Sequence, residues 1–326
     1  MKIILSKSNN AEFNIASEEY LFKNFTEDIF YLYVNSPSII VGRKQNTLSE
    51  INYDYVSKNN ITVVRRMSGG GAVFHDLGNL NFCFIIRNMS GLEQGFSKFT
   101  KPIIEVLQEL GVNATLKGRN DLTIGGKKFS GNAKYVSDNT LLQHGTLLFS
   151  SSLKDISKAL IIDPRKFQDK AVKSVHSRVT NISEHLSEPI TMEDFTQKII
   201  NHITQKYPDV SFYDFSDLDL DNINKLVIEK YATWDWNYGK SPAYNYTKSI
   251  RTKGGILQIS MIVNKGIINK LDFYGDFFSH VDLAEYENLF TNCPHKYEDI
   301  KKILSDFPPM DVFINIDEED ILKVIF

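Results

Sequence analysis

Along the first 245 residues the apolar positions switch repeatedly between helical spacing and strict alternation. Ile15, Leu21, Phe22 and Phe25 fall near one face of a helix over 14–25, with Asn14 placed to cap it. Apolar runs at 29–34 and 38–42, parted by Pro37, predict two short strands, and a helix is expected over 50–58. A further run, Ile61 to Val64, leads into Arg65-Arg66; Gly69, Gly70 and Gly71 follow, and Leu80 to Ile86 resumes the pattern after Gly78-Asn79. That order predicts a hairpin of strand, glycine loop and strand. An amphipathic helix over 97–110 stops at Gly111, and three strands follow within 118–149, joined by Gly125-Gly126 and by the turn at 137–140. Helices are predicted over 153–161 and 191–206, the second opened by Thr191 and Asp194 in the manner of a capping box.

Neither periodicity survives in 233–246, which holds both tryptophans, a glycine and a proline. The boundary is therefore drawn at 245/246, dividing the chain into 1–245 and 246–326. Beyond it, two alternating runs flank Asn264-Lys265-Gly266, a hairpin signal. A helical region over 282–305 and a final strand near 311–316 would complete a small α+β unit.

A length of 326 residues agrees with two domains, and a formal net charge of −3 offers no basic surface for nucleic acid. No window approaches the ~18 apolar residues of a membrane span. Met1 to Leu5 is too short an apolar stretch for a signal peptide, so a cytoplasmic location is expected. Cys83 and Cys293 are far apart and outside any C-x-x-C pair, which leaves no readable zinc or redox motif. Cys83 lies within an apolar strand, where a buried inert thiol is expected.

The glycine run is where chemistry enters. Uncovered backbone N–H groups at Gly69–Gly71 can converge on an anion, and one of Arg65 and Arg66 can face it. Neither the G-x-x-x-x-G-K-[ST] nor the G-x-G-x-x-G phosphate loop is present. In a second cluster, strand alternation puts Lys128, Ser130, Asn132 and Lys134 on one face and Phe129, Gly131 and Ala133 on the other. Gly131 and Ala133 forgo packing and imply the close approach of a ligand or another backbone. Asp121, after Gly118-Arg119-Asn120, is a carboxylate suited to Mg²⁺. His144 by itself reads as a structural histidine.

The segments RRMSGGGAVFHD, GRNDL, KKFSGNA and HGTLLF, in this order and spacing, resemble those of lipoate–protein ligases. So do NIASEEYLF near the start, GRKQN at 42–46, SRVTNIS at 177–183 and WDWNYGKSP at 234–242. The resemblance implies an α+β fold: a biotin/lipoate-ligase-like catalytic domain with mixed sheets flanked by helices, and a small C-terminal accessory domain. It implies activation of lipoate or octanoate by ATP with Mg²⁺ to an acyl-AMP, then transfer to a lysine. The implied acceptors are lipoyl domains of 2-oxoacid dehydrogenase E2 subunits and the glycine-cleavage carrier protein, with the enzyme a monomer that engages neither nucleic acid nor membrane. Carried over by position, Arg66 and the backbone of Gly70, Gly71, Ala72, Val73 and Phe74 hold ATP, Asn120 contacts the adenylate, and Asp121 binds Mg²⁺. Lys128 bridges the lipoate carboxylate and the α-phosphate as the catalytic residue. Ser68, Gly69, His75, His144 and Glu18 complete the lipoate site.

This assignment suits the chemistry. A carboxylate is ionised at neutral pH, so no general base is required; bringing two anions together calls for cations and N–H donors. One departure is His176, where many members carry arginine in SVRSRVTN, and no site residue is placed in that loop. The alternative is an ATP-independent octanoyl or lipoyl transferase, which uses a cysteine thiolate. In the octanoyltransferase branch that cysteine lies near the segment occupied here by Gly118 to Asp121, which has none. A biotin ligase would carry more basic residues after the glycines, and a non-enzymatic relative would be expected to lose Lys128 or the glycine loop.

Overall fold

The computed structural model describes residues 1–88, 95–118, 120–161, 179–207, 209–241, 243–281 and 283–326. The chain forms two compact units, one of 1–43 with 50–233 and one of 44–49 with 234–326. The aperiodic stretch from Trp234 thus belongs with the C-terminal unit, which begins twelve residues before the boundary drawn from the sequence at 245/246.

In chain order the first unit contains β1 (Lys2–Leu5), α1 (Ala11–Asn24), β2 (Ile29–Val34), β3 (Ser38–Val41), α2 (Tyr53–Lys58), β4 (Thr62–Arg65), β5 (Val73–His75) and β6 (Asn79–Ile86). There follow α3 (Ser97–Glu109), β7 (Ala114–Lys117), β8 (Asp121–Ile124), β9 (Lys127–Ser137), β10 (Thr140–Leu148), α4 (Leu153–Ala159), α5 (Met192–Lys206), β11 (Ser211–Phe212) and α6 (Asp217–Leu226). Eight strands form one mixed sheet in the order β11-β1-β2-β6-β10-β9-β8-β7, and β4-β3-β5 form a second, small sheet.

Residue parity in the large sheet separates core from site. Phe30 and Leu32 of β2, Phe82 and Phe84 of β6 and Leu147 of β10 pack with α3 and α5 through Phe99, Ile103, Phe195 and Ile199. The intervening residues, Tyr31, Tyr33, Asn81, Cys83, His144 and Thr146, turn to the other face. There α1 packs, and Tyr31, Tyr33 and His144 hydrogen-bond to its Asn14 and Glu18.

Several sequence expectations are corrected. Asn10 caps α1 by accepting from the Phe13 N–H, whereas Asn14 is buried inside the helix and serves the hydrogen-bond network described below. The glycine segment is not a hairpin: β4 runs parallel and β5 antiparallel to β3, which lies between them, while β6 belongs to the large sheet. Residues 66–72 therefore cross the end of β3, a span of about two strand spacings that a tight hairpin turn does not bridge. The turns at Gly125-Gly126 and Asp138-Asn139 have positive φ at both central residues, as a tight hairpin requires.

The second unit is a meander of β12 (Tyr244–Thr252), β13 (Gly255–Asn264) and β14 (Ile267–Gly275) with α7 (Leu283–Asn288), α8 (Tyr297–Asp306) and α9 (Glu318–Ile325). Ile259, Met261, Phe273, Phe290, Phe313 and Ile321 form its separate core. The strand expected at 311–316 is absent. Pro309 opens a 3₁₀ turn whose first carbonyl accepts from Val312 and Phe313, and a capping box between Asp317 and Asp320 then starts α9. Val312, Phe313 and Ile316 are buried all the same, which is why the segment is apolar without being a strand. Among the described residues no helix is long and apolar enough to cross a membrane.

Candidate functional site

A narrow slot of about 100 Å³ runs across the polar face of the large sheet. Its floor is a row of four strands: Tyr33 of β2 pairs with Asn81 of β6, Asn81 pairs with Thr146 of β10, and Thr146 Oγ1 accepts from the Gly131 N–H of β9 at 3.2 Å. Three inter-strand steps make the row roughly 14 Å long. Ile15, Ile40, Ala72, Val73 and Ala133 supply apolar wall. At the Gly131 end the slot meets a wider cleft of about 660 Å³, lined by Phe74, Thr123, Leu148, Ile156 and Val179 among others.

Lys128 stands at the junction and borders both spaces. A β-bulge puts it there. Leu122 pairs with Ser130 but Thr123 with Lys128, so Phe129 is the extra residue and alternation breaks across it. Phe129 is wholly buried in the core with Leu122, and Lys128 lies over Gly131, its Nζ 2.9 Å from the point a Cβ there would occupy. The expected sharing of a face by Lys128, Ser130 and Asn132 is thus overturned. Ser130 and Asn132 bond to each other at 3.2 Å, and Asn132 Oδ1 sits against Gly145, not Gly131. The close approach signalled by Gly131 is, in the first place, that of Lys128 itself. Lys128 Nζ is 2.8 Å from Asp121 Oδ1, both side chains being two-fifths exposed. Asn120 donates to the Asn132 carbonyl at 2.6 Å, tying the start of β8 to β9.

Arg66 organises the glycine loop from within. Its Nη2 donates to the carbonyls of Gly69 (2.6 Å) and Gly71 (2.8 Å), its Nη1 to that of Ile40, and its Nε to Ser68 Oγ. Burial lowers its pKa to about 10, which still leaves it charged at neutral pH. Gly70, at φ +90°, completes the loop where a Cβ would come within 3.1 Å of that guanidinium. The Arg66 Nε–H donates to Ser68 Oγ, which is also hydrogen-bonded to His144 Nε2 at 2.6 Å. His144 Nδ1–H donates to the Glu18 carboxylate, at 2.7 Å from Oε2. The spacing is that of a serine–histidine–acid triad. Ser68, however, is 1% exposed, is not among the slot-lining residues and is already held by arginine, so the chain clamps the loop to α1. The neighbouring Glu19 goes elsewhere: burial opposes its charge, but Lys23, Lys230 and Tyr231 outweigh that and lower its pKa.

Residues 10–204 match the lipoyl protein ligase A/B catalytic domain family, and 241–325 match the bacterial lipoate protein ligase C-terminus. The chain is 42% identical over 314 residues to lipoate–protein ligase 1 of Staphylococcus aureus, covering 96% of this chain and 95% of that one. Over 322 residues it is 42% identical to the lipoate-protein ligase LplJ of Bacillus subtilis, covering 98% and 97%. This chain belongs to the lipoate–protein ligase family. Among solved structures it is similar to a bipartite lipoate protein ligase of Thermoplasma acidophilum, studied with its E2 lipoyl domain, at a TM-score of 0.65 and 27% identity, covering 73% of this chain and 96% of that one.

Of the residues singled out from the sequence of this ligase, the structure brings Gly70, Gly71, Ala72, Val73, His75, Asn120, Lys128 and His144 to the slot, and Phe74 and Asp121 to the cleft. Glu18 and Ser68 lie behind this lining, in the clamp on His144, while Gly69 is exposed on the loop with its carbonyl held by Arg66. Arg66 borders the slot, yet its described donors turn to protein carbonyls and Ser68, which corrects the picture of a fork waiting for phosphate. Tyr33, Thr123 and Val179 were missed, and Asn81 and Thr146 were not named among the site residues. Parity carried the signal for the latter two, since Asn81 and Thr146 are polar positions beside the apolar Leu80, Phe82 and Leu147. The Thr180 N–H bonds to the Lys128 carbonyl at 3.0 Å, which draws the end of the SRVTN motif to the site. Arg119 and the 162–178 stretch, with His176, lie outside the described residues.

Proposed function

We propose that this ligase uses the slot for the acyl chain of lipoate or octanoate and the wider cleft for ATP, with Lys128 at the meeting point of the two anions. The observation that carries this reading is the placement of one ammonium, by a β-bulge over a glycine, where a narrow partly apolar slot opens into a nucleotide-sized cleft. In the first step a carboxylate oxygen attacks the α-phosphorus, and the bond to pyrophosphate breaks. Lys128 leaves Asp121 to offset the repulsion of the two anions and the charge growing on the phosphate oxygens. N–H groups of Gly70 to Phe74 border the path of the phosphates. Asp121, released by Lys128, would hold Mg²⁺. A single exposed carboxylate fits a cation carried mainly by substrate phosphates, and no group of three or more acidic, histidine or cysteine ligands occurs among the described residues. Mg²⁺ supplies charge neutralisation at the phosphates. In the second step an acceptor lysine amine attacks the acyl carbonyl, AMP departs, and the amine proton passes to solvent.

The acceptors in this reading are lipoyl domains of 2-oxoacid dehydrogenase E2 subunits and the glycine-cleavage carrier protein. The enzyme acts as a cytoplasmic monomer, with the second unit as an accessory domain. A thiolate-dependent acyl transfer is disfavoured, because Cys83 is fully buried with its pKa pushed well up by desolvation and by Glu18. Incubation with ATP, Mg²⁺, lipoate and an apo lipoyl domain should add one lipoyl group to the acceptor by intact mass. Acylation that proceeds equally without ATP from an acylated carrier protein would overturn the ligase mechanism.

A further inference from the structure

His75 lines the slot, is 3% exposed, and is joined to a directional chain of amides. Asn14 Nδ2 donates to the Ser8 carbonyl at 2.8 Å, a group that can only accept, and this orients the Asn14 amide. Its Oδ1 accepts from Tyr31 and Ser6, at 2.8 and 2.6 Å, while Nδ2 also donates to Asn35 Oδ1 at 2.8 Å. Asn35 must then present Nδ2 to His75 Nδ1, at 3.0 Å. His75 Nδ1 is therefore the acceptor, and the ring hydrogen resides on Nε2. Burial, then the positive charge of Arg66 and the presence of His144, depress the His75 pKa to about 3, so the ring is neutral at physiological pH.

The Nε2–H so defined is buried and meets no protein acceptor. Among the described slot-lining side chains, only Asn132 Oδ1 shares that condition, and it lies on β9 toward Lys128. Asn35 directly follows β2, which places His75 at the Tyr33 end, roughly 14 Å along the floor from Gly131. There the Tyr33 hydroxyl is already committed to Glu18 at 3.0 Å, and Asn81 Nδ2 to the Tyr33 carbonyl.

We infer that His75 offers a fixed Nε2–H donor to the far end of the acyl chain and makes the enzyme prefer an end bearing sulfur lone pairs, a dithiolane, over a plain alkyl end. The inference rests on the slot being the acyl site. A buried donor without a partner carries its full desolvation cost, which a saturated hydrocarbon leaves in place and a sulfur acceptor partly relieves. Its contribution to the preference should be roughly tenfold.

The test compares wild type and His75→Phe with lipoate and with octanoate, by acid-dependent ATP–pyrophosphate exchange. His75→Phe should lower the lipoate-to-octanoate ratio of kcat/KM roughly tenfold. The loss should appear mainly as a higher KM for lipoate, because the contact lies far from the reacting carboxylate. A ratio close to that of wild type in a folded variant overturns the inference. Nitrogen-15 NMR of the imidazole-labelled wild-type enzyme decides the matter independently of the variant's folding. The free enzyme should show the Nε2–H tautomer, and its Nε2–H resonance should move with lipoate and not with octanoate. An Nδ1–H tautomer, or identical shifts with both acids, overturns it. Wild-type enzyme that exchanges with neither acid would overturn the slot reading and this inference together, whereas exchange with an unaltered ratio overturns the inference alone.

Discussion

Lys128 shows how much a single side chain depends on one irregularity in a strand. Without the bulge at Phe129 it would share the face of Ser130; with it, the ammonium crosses Gly131 and reaches the junction of the two cavities. Lys128→Ala should fold normally and form lipoyl-AMP at least about a hundredfold more slowly, the usual scale for losing one preorganised electrostatic contact. Lys134→Ala, whose ammonium lies 4.5 Å from the Phe96 ring centroid and does not line the slot, should cost far less. Pyrophosphate exchange measures both, and near-wild-type exchange by Lys128→Ala would remove it from the chemistry. His75 makes a second prediction, concerning stability. Its folded pKa near 3 lies below the ordinary 6.5, so on acidification the unfolded chain takes up the proton first. Stability from this group is complete above about pH 6.5 and is lost as the pH falls toward 3, at up to about 1.4 kcal/mol per pH unit. Urea unfolding between pH 7 and 4.5 should show the decline, with a shallower slope for His75→Phe.

At the scale of elements, β9 and the glycine loop are built to opposite rules. The loop is held by one arginine that binds its own neighbours' carbonyls, while β9 is bent so that a lysine can lie across a residue with no side chain. Gly131→Ala puts a methyl group 2.9 Å from Lys128 Nζ and 3.1 Å from its Cε, the flexible end of a side chain, so the fold should tolerate it. The displaced ammonium should slow adenylation by roughly tenfold or more while the melting temperature changes little. An alanine variant of unimpaired rate would show that Lys128 does not need to cross Gly131. The segment that crosses β3 was legible as a glycine loop, because three glycines after two arginines have few other uses. Its topology was not, because the pairing of β4 and β5 with β3 rests on contacts from outside the loop.

For the whole molecule, the second unit has its own core and its own sheet, which bears on how the two half-reactions are divided. Adenylation handles two small molecules and transfer must admit a protein, two demands with different access. Deletion of 234–326 should impair lipoyl-AMP formation more than transfer from supplied lipoyl-AMP, provided circular dichroism shows the remainder folded. Equal loss in both steps would refute that division.

Local signals travelled well. Period, capping residues and turn glycines located α3, α5, β2, β6, the β9–β10 hairpin and the β13–β14 hairpin, since each depends on neighbours within a few positions. Motif order was enough to single out Lys128, the glycine loop and Asp121. Tertiary structure decided everything that depends on partners distant in sequence. It set the bulge that reverses the facing of Lys128, the turn of Arg66 toward its own loop, the burial of Asn14, the pairing of His144 with Glu18 and the tautomer of His75. The contacts of His144 with Glu18 and of His75 with Asn35 span many tens of residues, beyond the reach of any local pattern. An apolar pattern reports that a residue is buried, as at Phe313, without reporting the backbone that buries it. A polar residue among apolar ones, such as Asn81, acquires its meaning only when the neighbouring strands set its parity against a cavity.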